Sequence, residues 1–202
     1  MNGNLKNTVG SPREDALLIT AFQGGDRTAF DKLVLKHKNK VFNLCYWMIG
    51  DYQEANDTAQ ETFIKVFGSL KKFRFESSFS TWLFRIAVNT CKNRLKSSEF
   101  RQKKKTISLD NPGDPETDRS LSQIKDEAPS PSIELERKER MMLINEAIDS
   151  LPAEQKEVVV LRDMEGFSYE EIVEITGLNV GTLKSRLARA RLNLRNRLRS
   201  VI

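Results

Sequence analysis

Between Ser98 and Ser132 the chain concentrates four of its six prolines (Pro112, Pro115, Pro129 and Pro131) among Ser, Asp, Asn and Gly, with few large apolar side chains. A segment of that composition cannot bury enough surface to offset the entropy lost in ordering it. The chain is therefore expected to fold as two pieces, residues 13–97 and 133–202, joined by a flexible linker over 98–132 and preceded by a disordered tail over 1–12. With 202 residues in all, each piece is a small domain built around one modest core.

Both pieces read as helical. Asp26 is placed to cap a helix through Ile49, Asp51 a second through Leu70, and Ser80 a third reaching about Lys96. Beyond the linker, Glu134 to Asp149 has an amphipathic helical period. Pro152 then suits the first turn of a helix running to Met164 and stopping at Gly166. Sustained period-two alternation is absent, so no sheet is expected and the fold class is all-α, with two small helical domains.

Composition removes several function classes. His37 is the only histidine, which leaves Ser-His-Asp and His-based metal or general-base schemes almost nothing to use; it reads as a helix-surface residue. Cys45 and Cys91 lie far apart in sequence without a metal-ligand spacing, so neither a disulfide framework nor a zinc knuckle is expected. Nucleotide-binding glycine motifs are missing, and no cofactor or metal is expected. The first residues, Met1-Asn-Gly-Asn-Leu-Lys, carry no apolar stretch, and no apolar run approaches membrane-spanning length, so a cytoplasmic protein without membrane insertion is expected.

The net charge of +5 hides a segregation along the chain. Lys71 to Lys105 holds 11 basic and 2 acidic residues, Asp110 to Glu136 holds 8 acidic and 2 basic, and after Glu174 come 7 basic residues and no acidic one. Two cationic segments flanking an anionic one suggest two contacts with a polyanion.

The C-terminal cationic segment has a recognisable grammar. Ser168-Tyr-Glu-Glu171 has capping-box spacing, Gly177 occupies a helix stop, and Asn179 is placed to cap a longer basic helix. A short helix, a glycine-containing turn and a basic second helix spell helix-turn-helix. Leu183, Leu187, Ala190, Leu194 and Leu198 form the inward seam of that second helix. Gly181, Thr182, Lys184, Ser185, Ala188 and Arg189 lie outward near its start. Ser185 and Arg189 are suited to base edges, while Lys184, Arg186 and Arg191 are suited to phosphates.

In the N-terminal piece, Lys71-Lys-Phe-Arg-Phe-Glu-Ser-Ser-Phe79 interleaves cations with rings. Phe73, Phe75, Phe79 and Phe84 read as core residues. Arg85, Asn89, Lys92 and Lys96 share a polar face of the following helix, with Trp82 and Asn93 at its margin. Cations, amides and a ring in one track match what unpaired nucleotides offer. On the preceding helix Ala55, Ala59, Phe63, Val66 and Phe67 read as buried, leaving Asp57, Gln60 and Glu61 outward as either a solubilising face or a protein-docking patch.

Five runs together carry a resemblance: Glu54 to Phe63, Phe79 to Asn93, Leu151 to Arg162, Gly166 to Ile172 and Val180 to Arg191. In order and spacing they closely resemble the extracytoplasmic function sigma factors of bacterial RNA polymerase, with the envelope-stress branch nearest. Val173 and Thr176 stand where that family usually has Ala and Leu. The resemblance implies a protein that binds core polymerase and directs promoter-specific initiation without catalysing any reaction itself. It implies that Asp57, Gln60 and Glu61 dock on the clamp helices of the largest subunit, with the polymerase flap a further expected contact. It implies that Trp82, Arg85, Asn89 and Asn93 hold the minus-ten strand. Thr182, Lys184, Ser185, Arg186, Arg189 and Arg191 would then face the minus-thirty-five duplex. The anionic linker would thread the RNA channel, and an anti-sigma factor is an expected further partner.

Two other readings compete. A free-standing helix-turn-helix regulator leaves the N-terminal segment unexplained and lacks an evident dimer face. An enzyme using Glu54, Asp57 and Glu61 as metal ligands lacks an opposing set of donors.

Overall fold

The computed structural model describes residues 12–97, 140 and 142–199. All of the expected tail but Pro12, the whole of the expected linker and the start of the helix expected from Glu134 lie outside the described residues. Among those described there is no strand, and no helix is long and apolar enough to cross a membrane.

The N-terminal lobe consists of α1 (Pro12–Gln23), α2 (Thr28–Ile49), α3 (Tyr52–Leu70) and α4 (Phe79–Lys96). Each boundary has a local cause. Asp26 accepts hydrogen bonds from the Thr28 N–H and hydroxyl at the start of α2, at 2.9 and 2.7 Å. Gly50 ends that helix at φ +81°, a left-handed conformation that costs glycine nothing, and its N–H donates to the Tyr46 carbonyl. Asp51 caps α3 by accepting from the Glu54 N–H at 2.8 Å. The cap of α4 is Ser78, which accepts from the Thr81 N–H at 3.0 Å, and Ser80, expected there from sequence, lies inside the first turn. Both serines are cap-forming residues; the helix begins two positions earlier than expected, with Phe79 as its first residue and buried.

The packing of α1, an element the periodicity did not single out, overturns one expectation. His37 is not on the surface but 2% exposed. Its Nε2 lies 3.2 Å from both carboxylate oxygens of Asp15 on α1, and Lys36 pairs with the same carboxylate at 2.6 Å. Burial works against the Asp15 charge, and the hydrogen bonds from His37 and Lys36 more than offset it, holding the carboxyl below its ordinary range. Cys45 and Cys91 are buried free thiols with their Sγ atoms 3.6 Å apart. The Cys91 contact and burial push the Cys45 thiol well above its ordinary range, so it packs as a small apolar group.

The C-terminal lobe has helical residues 142–149 (α5), then α6 (Ala153–Val159), α7 (Tyr169–Thr176) and α8 (Val180–Arg199). The last turn of α6, Val160–Met164, widens to π geometry before Gly166 at φ +78°. Pro152 stands just before α6 as its N-cap residue. The capping box at the start of α7 is complete: Ser168 Oγ accepts from the Glu171 N–H, and Glu171 accepts from the Ser168 N–H. Gly177, at φ +73°, ends α7. Thr176 donates to the Ile172 carbonyl and accepts from the Leu178 N–H, so this hydroxyl secures the turn between the two helices. Asn179 caps α8 by accepting from the Thr182 N–H at 2.7 Å.

The two lobes are docked. α4 packs on α7, while α2 touches α6 and its π turn, so one apolar core runs from Leu33 and Leu83 through to Ile172 and Leu187. Phe84 is in the core as expected, but its ring lies edge-on to Phe167 of the other lobe, with centroids 4.7 Å apart. Lys92 pairs with the buried Glu157 at 2.7 Å across the same seam, a charge contact without aligned hydrogen-bond geometry. Against the Phe84 and Phe167 rings lies a cavity of about 270 Å³ whose charged lining is Asp15, Lys40, Glu165 and Glu171.

Candidate nucleic-acid interface

α4 offers its surroundings a narrow strip. Leu83, Phe84, Ala87, Val88, Thr90 and Cys91 are buried, and outward stand Arg85, Asn89 and Asn93 at successive helical turns, all exposed, with Lys96 also exposed at the helix end. Among the described residues none of the three has a hydrogen-bond or ion-pair partner, so their polar groups face solvent. Trp82 is half-buried at the head of the strip, resting on Phe73 and Phe79 at centroid distances of 5.0 and 6.0 Å. That aromatic layer holds the partly exposed indole at the head of the track, an arrangement suited to stacking an unpaired base. Two expectations fail here. Lys92 belongs to the seam rather than the strip. Phe75 is 46% exposed and adopts φ +59°, because the tight turn before α4 leaves it outside, edge-on to Phe73.

On α8, Leu183, Leu187 and Ala190 are buried as expected, and α8 leans chiefly on α6. Thr182 is half-buried, while Lys184, Ser185 and Arg189 are exposed in one patch near its start. Lys184 and Arg189 have no ion pair among the described residues. Ser185 donates to the Thr182 carbonyl at 2.9 Å, which leaves its oxygen free to accept. The other two arginines are engaged by carboxylates of α6 and its π turn. Arg186 pairs with Glu154 at 2.7 Å. Arg191 forks onto Asp163, Nη2 to Oδ1 at 2.6 Å and Nε to Oδ2 at 3.1 Å. The hydrogen bond to Asp163 raises the Arg191 guanidinium above its ordinary range. Upstream of α7, Arg162 donates to the Phe167 carbonyl at 2.7 Å and lies over the Tyr169 ring, holding the turn that precedes the helix-turn-helix.

The third surface lies on α3. Asp57, Gln60 and Glu61 are exposed. Gln53 reaches Asp57 at 3.4 Å and Lys65 pairs with Glu61 at 2.7 Å. Ile64, 71% exposed, and Phe67, 44% exposed, continue the same outward face. Phe67 was expected inside; it sits instead at the core margin, edge-on to Phe22 and Phe30. The sequence reading passed over Ile64, although an isoleucine one turn beyond Gln60 is a signal of a protein contact rather than of a solubilising face. Glu54 turns inward to Arg94, 2.6 Å from its Nε, so the carboxylates of α3 do not converge. Among the described residues no group of histidine, cysteine or carboxylate side chains is placed to hold a metal ion.

Comparison with known proteins agrees with this layout. Residues 33–101 match the family described as Sigma-70 region 2, and residues 141–194 match Sigma-70, region 4. The chain is 39% identical over 178 residues to the RNA polymerase sigma-H factor of Pseudomonas aeruginosa, covering 88% of this chain and 90% of that one. It is 35% identical over 190 residues to the ECF RNA polymerase sigma-E factor of Escherichia coli K12, covering 93% and 96%. Among solved structures, the sigma factor RpoE of Bartonella quintana, crystallised with the anti-sigma factor NepR, superposes with a TM-score of 0.60 at 25% identity, over 84% of this chain and 96% of that one. CnrH, in complex with the cytosolic domain of CnrY, gives a TM-score of 0.64 at 22% identity, over 93% and 98%, a likeness of fold.

Proposed function

Because the chain belongs to the extracytoplasmic function sigma factors of bacterial RNA polymerase, within the sigma-70 family, we propose that its α4 strip holds unpaired bases of the minus-ten element and its α8 patch reads the minus-thirty-five duplex. The family's role is to bind core polymerase and direct transcription initiation at promoters. The observation that carries the residue-level reading is the pairing of two outward polar faces on separate lobes: Arg85, Asn89 and Asn93 beside Trp82, and Lys184, Ser185 and Arg189 at the start of a helix-turn-helix second helix. Each suits one form of DNA. Amides and a fixed ring suit bases out of the stack, and a helix start rich in small residues and cations suits the major groove.

The exposed α3 face, acidic at Asp57 and Glu61 and apolar at Ile64, suits a protein partner and is assigned to core polymerase. An anti-sigma factor is the expected inhibitor, as RpoE has in NepR. The chain's work is binding and positioning, which places it in the cytoplasm with the polymerase.

Geometry adds a requirement. α4 packs on α7 and α7 on α8, so at about 8–10 Å per helix contact the two reading helices stand on the order of 20 Å apart. The two promoter boxes are named for positions about 25 base steps apart, on the order of 85 Å of duplex. The docked arrangement therefore precedes promoter binding, and the lobes separate to reach both boxes. Run-off transcription with purified core polymerase tests the proposal: the chain should add specific start sites, and a chain that adds none on any promoter of this class contradicts it.

A further inference from the structure

Of the arginines expected on the minus-thirty-five duplex, Arg191 has its best hydrogen-bonding edge already occupied. A guanidinium recognises phosphate through parallel N–H groups, and the Nε and Nη2 pair of Arg191 is spent on Asp163. For Arg191 to turn to a phosphate, it would have to leave the carboxylate, and Asp163 would be left facing the polyanion. Asp163 itself sits in the π turn Val160–Met164, a local widening that shifts side chains out of straight helical register. Two further contacts tie the same pair of segments together, Arg186 to Glu154 at 2.7 Å and Asn193 to Gln155 at 2.8 Å. The apolar seam of α8 is a single row, which fixes its distance from α6 but resists rolling poorly; polar pairs beside the row fix the roll.

We propose that Asp163 is a specificity-determining positioning residue: through its fork with Arg191 it sets the angle at which α8 presents Ser185 and Arg189 to the base edges, and Arg191 acts on protein rather than on phosphate. This rests on the reading of α8 as the duplex-reading helix. The two side chains are 32% and 53% exposed, so exchanging them leaves the core intact and the variants fold.

The test uses holoenzyme reconstituted from core polymerase and the full chain, carrying wild type, Asp163→Asn, Arg191→Ala, the exchange Asp163→Arg with Arg191→Asp, and Arg189→Ala. Each selects duplexes from a promoter library randomised in the minus-thirty-five element, and affinity for the duplex that wild type selects is measured against salt. Positioning predicts that Asp163→Asn and Arg191→Ala both broaden the selected pool and weaken affinity about three- to fivefold. It also predicts an unchanged salt slope and recovery of selectivity in the exchange variant. If Arg191 is a phosphate ligand, Asp163→Asn tightens binding and Arg191→Ala lowers the salt slope by about 0.9; that result overturns the inference, as does wild-type selectivity in every fork variant. Arg189→Ala separates the two claims. A pool unchanged by that substitution removes α8 as the reading helix, whereas a pool lost there but kept in Asp163→Asn removes only the positioning role.

Discussion

The two helices proposed to read DNA are held in opposite ways. α4 is clamped: residues on two of its sides are buried, and one of those sides meets the other lobe through Phe84 and Phe167. α8 projects: its buried residues are confined to Leu183, Leu187 and Ala190, and polar pairs to α6 and its π turn steady the rest. The contrast matches what each helix would address under the proposed function. Extruding bases costs a few kcal/mol apiece, so the trap must not yield, while a helix entering the major groove must stand clear of its own scaffold. The clamp on α4 is borrowed in part from the other lobe. The proposed separation would uncover Phe84 and Phe167, so a partner that opens the molecule would have to cover apolar surface as well as supply charge.

The largest expected effect breaks the clamp. Phe84→Ala removes a fully buried ring from the core the two lobes share and should cost about 3–5 kcal/mol in denaturant unfolding; an unchanged midpoint would mean that the lobes are independent. Next comes the projecting helix. Arg189→Ala should cost about 1–3 kcal/mol at the upstream box and relax preference there without altering stability, and equal discrimination across minus-thirty-five variants would contradict the assigned face. Lys92→Glu sets a second carboxylate against Glu157 and should open the seam while sparing each lobe's melting, read as a larger radius of gyration by X-ray scattering.

The smallest effect concerns pH. Burial at the seam pushes the Glu165 carboxyl up to about 7, against the pull of Lys40. A carboxyl raised in the docked form favours docking fully below its free value of about 4.3, and that contribution is lost as pH rises through about 7. Docking should therefore weaken across that window, and Glu165→Gln should flatten the dependence; a seam that tightens with pH would reverse the sign of this account.

What was legible in the sequence was local. Asp51, the Ser168 and Glu171 box, Gly177 and Asn179 act within a few residues of themselves, so spacing sufficed. The outward polar faces of α4 and α8 were legible because helical period alone fixes them. Where the reading failed, a distant element decides: His37 is buried because α1 brings Asp15 over it, and Lys92 leaves its expected face because Glu157 lies across the seam. The engagement of Arg186 and Arg191 was hidden for the same reason, since Glu154 and Asp163 lie 32 and 28 positions away in the chain.

The most direct measurement is the distance between the lobes. Cysteines introduced at exposed Leu35 and Leu192 accept spin labels selectively, because Cys45 and Cys91 are buried. Pulsed electron paramagnetic resonance then compares the free chain with its complex on core polymerase and promoter DNA. The account predicts a short distance in the free chain and a lengthening on the order of 40 Å or more in the promoter complex. The same short distance in a complex that initiates from both boxes would contradict it.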